Sequence, residues 1–161
     1  MTQPVEYITR ITDNYAKLGY KPYQWISNAT TPPWTPLRKP LSQCRLGLVA
    51  SGGIYASGQV AFHFKDDVSF RAIPTTINTS ELRTAHFAYD QTDARKDPNV
   101  VFPLDTLRRL VHEGVVGALA ENFFTFMGGV YSARRVAEEL APRITESLLA
   151  EKVDVALLVP V

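Results

Sequence analysis

The stretch Phe102–Gly129, FPLDTLRRLVHEGVVGALAENFFTFMGG, decides the fold. Pro103 suits the first position of a helix, Leu104, Leu107, Leu110 and Val111 share one face of it, and Gly114 closes it. The run VVGALAENFFTF then reads as one buried strand, because apolar residues fill nearly every position, and MGG ends it. From Tyr131 to Lys152, Val136, Leu140, Ile144 and Leu148 recur every four residues on one amphipathic face, with Pro142 predicting a kink or two abutting helices. VDVALLVPV, Val153–Val161, is a further strand of the doubly buried kind. Helix, strand, helix, strand with right-handed crossovers gives parallel strands with helices on the sheet faces. The fold class expected is α/β: an open, mainly parallel sheet with helices on both faces, Rossmann-like.

Toward the N-terminus, RLGLVAS (Arg45–Ser51) is the first strand, followed by the glycine-rich turn SGGIYASG. DDVSFRAIP and SELRTAHFAYD suggest two short strands, and DQTDARKDP a polar loop. Pro4–Leu18 places Val5, Ile8, Ile11, Tyr15 and Leu18 at helical spacings, with Gly19 as the residue after the cap. Between Lys21 and Pro40, five prolines (Pro22, Pro32, Pro33, Pro36, Pro40) exclude a regular helix and leave an extended arm anchored by Tyr23, Trp25 and Trp34. The arm is expected to wrap its own domain, with a second subunit as the alternative. The chain reads as a single domain, 1–161, with helix and arm in 1–43 and the sheet core in 44–161, incomplete at its C-terminus.

At 161 residues one core is the default, and 45% hydrophobic with 20% charged residues marks a globular chain. A net charge of +1, without a basic stripe, gives no reason to expect nucleic acid. No apolar run approaches the roughly 20 residues of a membrane span, and MTQPVEYITR lacks the order of a signal peptide, so a cytoplasmic protein is expected. The single cysteine, Cys44, permits no internal disulfide, and it reads as a half-buried structural thiol.

In an open parallel sheet, ligands gather outside the carboxyl ends of the strands. Candidate binding residues therefore cluster at Ser51-Gly52-Gly53 and at Gly128-Gly129 before a helix, where backbone amides form either an anion cradle or a plain tight turn. The spacing matches neither dinucleotide nor P-loop signatures. His86 and Asp90 form a candidate proton relay, although a straight strand would hold them about 13 Å apart. Glu121, inside an apolar run, needs a partner or a shifted pKa if buried. His63 and His112 are isolated, and no metal site is expected.

Taken together, SGGIYASG, RTAHFAYD, DARKDPNVVFPLDTLRRLVHEGVVGALAENFFTFMGGVYSARR and KVDVALLVPV resemble the selenoprotein B family of the glycine, sarcosine, betaine and D-proline reductases, and its small stand-alone members most. The resemblance implies a reductase component that cleaves a carbon–nitrogen bond in an amino acid or amine, with a selenol or dithiol as electron donor. In that family the strand matching VDVALLVPV leads into a selenocysteine or cysteine, a short spacer and a second cysteine, then a helix. That redox pair, and with it the catalytic nucleophile, is absent from these residues and is expected immediately after Val161. A selenocysteine codon read as stop, a stop mutation or a split gene would each give this ending. The resemblance also implies a reductase partner subunit, which in long-chain relatives bears a pyruvoyl group. Ser51, Gly52, Gly53, Gly128 and Gly129 would then line the mouth of the site, with no cofactor in this chain. A homo-oligomer is compatible with the same pattern. The alternative is a non-catalytic binding or subunit module that docks on a partner through the Pro-rich aromatic arm.

Overall fold

Tyr7–Lys17 forms the first helix (α1) of the computed structural model, which describes residues 4–22 and 26–161. It starts later than its periodicity predicts because Glu6 at the cap offers no side-chain hydrogen bond to the free amides. It ends as predicted. Gly19 adopts φ +80°, its amide reaches Ala16 O at 3.0 Å, and the Tyr20 amide reaches Tyr15 O at 3.0 Å, the pairing of a Schellman motif. The Tyr15 and Tyr20 rings, 5.8 Å apart, supply its apolar contact. Ile26–Trp34 carries no helix or strand, as the prolines require, and Trp34 is 85% exposed. Tyr23 and Trp25 lie outside the described residues.

By its contacts the chain divides into two units, Met1–Trp34 and Thr35–Val161. The second carries, in order, Arg45–Ala50 (β1), Ile54–Ala56 (β2), Phe70–Pro74 (β3), Leu82–Thr84 (β4), Thr92–Lys96 (α2), Leu104–His112 (α3), Ala118–Leu119 (β5), Asn122–Phe126 (β6), Ala133–Arg135 (α4), a π-helical segment Val136–Leu140, Ala141–Ala150 (α5) and Val155–Val159 (β7). β1 is the strand on which the sheet is built. Along one side it pairs in parallel with β7, from Leu46↔Val155 to Ala50↔Val159. Along the other it pairs in parallel with β5 near its start and β6 near its end, and β3 adds antiparallel to β6. This is a mixed α/β fold with a mostly parallel central sheet.

Alternation along β1 divides the core. Leu46, Leu48 and Ala50 join Phe102, Leu104, Leu107 and Phe123 on the α3 face, while Val49 joins Phe124, Leu140 and Ile144 on the α5 face. The chain crosses from β1 to β6 through α3, then returns past β1 to β7 through α4 and α5. Crossovers of one hand in opposite directions put their helices on opposite faces. Gly47 makes the second face possible, since a Cβ there would lie 2.8 Å from Leu148 Cδ2 and 3.0 Å from Val153. At the amino edge of the sheet the Glu151 carboxylate accepts from the Asn122 amide and side chain, each at 2.9 Å, and Asp154 accepts from the Arg45 amide at 2.7 Å.

Several expectations are corrected. VVGALAENFFTF is two strands, because Ala120 and Glu121 turn the chain between β5 and β6, and Glu121 sits exposed at the amino edge. SELRTAHFAYD is strand only over β4, and Ala85–Asp90 bends away as a loop. VDVALLVPV does form a parallel strand, but at an edge, where Leu157 and Leu158 are exposed. Cys44 is fully buried, its Sγ facing the Pro40 carbonyl at 3.4 Å. At Pro142 one of the two expected arrangements is found: a π-helical segment abuts α5, and the proline, which cannot donate, sits in the first turn of α5. A repeat of four also drifts around an α-helix of 3.6 residues per turn, and the wider turn takes up part of that drift, keeping Leu140 and Ile144 buried. No helix among the described residues is long and apolar enough to cross a membrane.

Glu121, just before β6, and Phe123 within it separate these effects. Phe123, wholly buried edge-on to Phe102, should cost about 3–5 kcal/mol on truncation to Ala. Glu121→Gln should change stability by less than about 0.5 kcal/mol. Urea denaturation of both variants measures the difference, and a large loss in Glu121→Gln would restore the buried-acid reading.

Candidate functional site

The carboxyl ends of β1 and β6 are where the chain departs to opposite faces of the sheet, the position at which open α/β sheets hold ligands. A network of backbone bonds closes this junction. Gly52 bridges Met127, Gly53 N donates to Phe126 O at 2.9 Å, and Gly128 N donates to Ser51 O at 2.9 Å. Ser51 N donates to Val159 O at 3.1 Å, and Ser51 Oγ accepts from Val161 N at 2.9 Å. Three strand ends are thereby tied through one residue.

The expected glycine cradle is a set of close approaches. Gly53 has φ +68°, and a Cβ there would lie 2.2 Å from Ala85 O. A Cβ on Gly129 would lie 2.2 Å from the Phe87 ring, and one on Gly128 would press on Ser51 at 3.0 Å. The Gly53 and Gly128 amides are spent on the bonds above, and Gly129 N faces Met127 Sδ at 3.1 Å. The helix N-terminus beyond Gly129 already holds an anion of the chain itself. Asp66, at φ +46°, accepts from the amides of Tyr131 at 2.7 Å and Ser132 at 3.2 Å. Arg135 ties the same turn by donating to Asp66 O at 2.9 Å.

Docked by Asp66, the loop carrying Phe62, His63 and Phe64 faces the β4–α2 loop across a cavity of about 240 Å³, whose lining also includes His86, Arg95 and Met127. The β2–β4 ribbon holds that second loop in place. Ala85 N donates to Gly53 O at 2.9 Å, and the Tyr89 hydroxyl donates to Gly52 O at 2.9 Å. His86 and Asp90 do not form a relay. His86 Nδ1 accepts from Ala88 N at 3.0 Å, while Asp90 accepts from the Thr92 amide at 2.9 Å and hydroxyl at 2.6 Å at the start of α2. Those Thr92 bonds, with Arg95 nearby, hold the Asp90 carboxyl below its usual range.

Because Nδ1 accepts, the neutral imidazole carries its proton on Nε2, and that atom is buried without a partner. Burial pushes the His86 pKa down, in keeping with a neutral ring. The hydroxyl of Thr125, two residues before Met127 in β6, is likewise buried and unpaired. An orphaned buried polar group costs about 1–3 kcal/mol and calls for an explanation. Of the residues expected at the site, Ser51, Gly52, Gly53, Gly128, Gly129 and His86 come together, Asp90 caps a neighbouring helix, and Glu121 lies at the opposite end of the sheet. Sequence reasoning passed over Phe62, Phe64 and Arg95. The alternating aromatics of AFHFKD were the available signal. Among the described residues no group of His, Cys, Asp or Glu is placed to hold a metal ion.

Residues 20–160 match the family model described as glycine/sarcosine/betaine reductase selenoprotein B. The chain is similar to the D-proline reductase subunit gamma of Acetoanaerobium sticklandii, 38% identical over 130 residues, which are 80% of this chain and 54% of the relative. It is similar to the glycine reductase complex component B subunit gamma of Symbiobacterium thermophilum, 33% identical over 144 residues, 84% of this chain and 32% of the relative. The sarcosine reductase complex component B subunit beta of Peptoclostridium acidaminophilum is 29% identical over 126 residues, 71% of this chain and 28% of that protein. The chain thus matches about half of the first relative and about a third or less of the others. No solved structure matches.

Gly53→Val should unfold the junction, through both the positive φ, about 1–2 kcal/mol for a side chain, and the clash with Ala85 O. A melting temperature equal to the parent's would overturn this. His86 supplies a pH test. A histidine whose folded pKa lies below its ordinary 6.5 binds protons more readily when unfolded, so stability is fully present above pH 6.5 and declines as pH falls below it. The depressed carboxylates, such as Asp90 and Asp105, add their own loss only below about pH 4. Denaturation midpoints between pH 7 and 5 should fall in the parent and fall less in His86→Gln; parallel profiles would refute the assignment.

Proposed function

The chain belongs to the glycine/sarcosine/betaine reductase selenoprotein B family, and we propose that it serves as the substrate-facing component of a reductase that cleaves a carbon–nitrogen bond in a small amino acid or amine. The observation that carries this reading is the convergence of three strand ends on Ser51, beside the His86 cavity. Substrate would lie at this mouth, with Ser51, Gly52, Gly53, Gly128 and Gly129 shaping its wall by close packing, His86 facing it, and Asp90 stiffening the loop behind.

The chemistry calls for a nucleophile and two electrons, which a selenocysteine–cysteine or dithiol pair supplies. Cys44 is the only thiol of the chain and is buried on the far side of β1 from its carboxyl end, so it cannot form that pair alone. In this reading the pair lies outside these 161 residues, on a segment or partner that reaches the strand-end mouth. Val161 N already bonds Ser51 Oγ, and the Val161 side chain lies 3.3 Å from where a Gly52 Cβ would be, which puts anything joined there against the mouth. A helix following it would hold the anionic chalcogen at its N-terminus. A partner subunit completes the reaction in this scheme, as the names of the relatives, components of complexes, suggest.

A decisive assay compares the 161-residue protein with a version extended through the bases following codon 161, with cysteine for any selenocysteine. With D-proline, glycine, sarcosine and betaine as substrates and dithiothreitol as donor, the short protein should release no amine or amino-acid product. The extended one, with its partner, should. Turnover by the short protein that survives Cys44→Ser would refute the assignment of the nucleophile.

A further inference from the structure

The cavity under the Phe62–Phe64 loop has features that point to one kind of ligand. Its volume of about 240 Å³ admits only a small molecule. Phe62, Phe64, Phe87 and Met127 make much of its wall apolar. No aspartate or glutamate is among its lining residues, so a cationic group would find no counter-charge there. The polar groups at its edge are donors in excess. The His86 ring, fixed by the Ala88 amide on Nδ1, can offer only Nε2–H, and that donor is unpaired. Arg95, on α2, is exposed; it meets Gln91 Oε1 at 3.4 Å and lies near the Asp90 carboxylate without a hydrogen bond to it, so its fork of donors can still reach another acceptor. Gln91 in turn donates to His86 O, so both donors are set by one short segment.

We propose that this cavity is a carboxylate-recognition pocket, in which His86 Nε2–H and the Arg95 guanidinium hold the two oxygens of a small carboxylic acid and the aromatic rings enclose its apolar body. A guanidinium matches a carboxylate in geometry as well as charge, and a neutral imidazole N–H adds a directed bond without a second full charge. Phe87, stacked on the imidazole at 5.8 Å and 44% exposed, is the ring a ligand displaces to reach Nε2. The inference rests on the strand-end site proposed above and goes beyond it by naming the recognised group and the two residues that select it.

The test is a titration of the isotopically labelled 161-residue protein with sodium cyclopentanecarboxylate and, separately, with cyclopentanecarboxamide, following the His86 ring nitrogens and the Arg95 side chain by NMR. The carboxylate should shift both and bind at least about tenfold more tightly than the amide, the discrimination expected when charged hydrogen bonds are removed. Arg95→Met, at an exposed position, should weaken carboxylate binding by a similar factor with the fold unchanged. His86→Gln should do the same, and its backbone spectrum shows whether the fold survives. Equal binding of the two probes, no shift at His86 under saturating salt-matched carboxylate, or undiminished affinity in Arg95→Met would overturn the proposal. An assembled, active reductase whose chain ignores the probe would overturn the pocket alone. A chain that binds the probe but supports no reduction in the complex would leave the pocket standing and overturn the reductase reading.

Discussion

Ser51 spends all of its polar groups on the ends of two other strands. Its amide goes to β7, its carbonyl to the residue leaving β6, and its hydroxyl to Val161. A small residue is needed there, because Gly128 approaches so closely that a Cβ on it would touch the Ser51 side chain. The glycines on either side follow from the same crowding. Gly52 faces Val101, Gly53 passes under Ala85 O, and Gly129 lies beneath Phe87. The junction is therefore a packed joint, and the ligand space opens beside it, where two loops meet.

The loops owe their places to charges the chain supplies to itself. Asp66 occupies the helix N-terminus that would otherwise attract a free anion, and in doing so carries Phe62 and Phe64 over Met127. Asp90 performs a similar local task for α2, which holds Arg95. The sheet is anchored in the same manner at its other edge, by Glu151 on β6 and Asp154 on β1. Carboxylates at both edges thus set backbone geometry, and the buried side-chain atoms left without a partner among the described residues are His86 Nε2 and the Thr125 hydroxyl.

Much of this was readable in advance where periodicity and topology act together. The run of β1, the helix from Leu104 with its closing Gly114, and the gathering of Ser51, Gly52, Gly53, Gly128 and Gly129 at the strand ends follow from apolar spacing and crossover direction alone. Glu121 was misplaced because a single acid in an apolar run gives no sign of whether it is buried or marks a break. Residue type alone pairs His86 with Asp90, but the bend after β4 depends on Gly53 and Tyr89, distant in sequence. Phe64 and Arg95 could not be joined to the site from sequence, since the Asp66 capping bond spans 65 residues. The π turn before Pro142 was beyond periodicity as well: proline signals a broken ladder without saying how the chain repairs it.

The pairing of β1 with β7 has a bearing on the order in which the sheet is made. Leu46 and Val155 are neighbours across the ladder yet more than a hundred positions apart in the chain, as the Arg45–Asp154 separation of 109 shows. During synthesis β1 leaves the ribosome early and must wait, first for β6 and then for β7, with its apolar faces and hydrogen-bonding edges uncommitted. Closing so long a loop is slow, and an unpaired strand is the kind of surface that other nascent chains and chaperones bind. The Ser51 junction is thus among the last features of the domain to form, and any ligand that needs it must bind after translation has passed Val159.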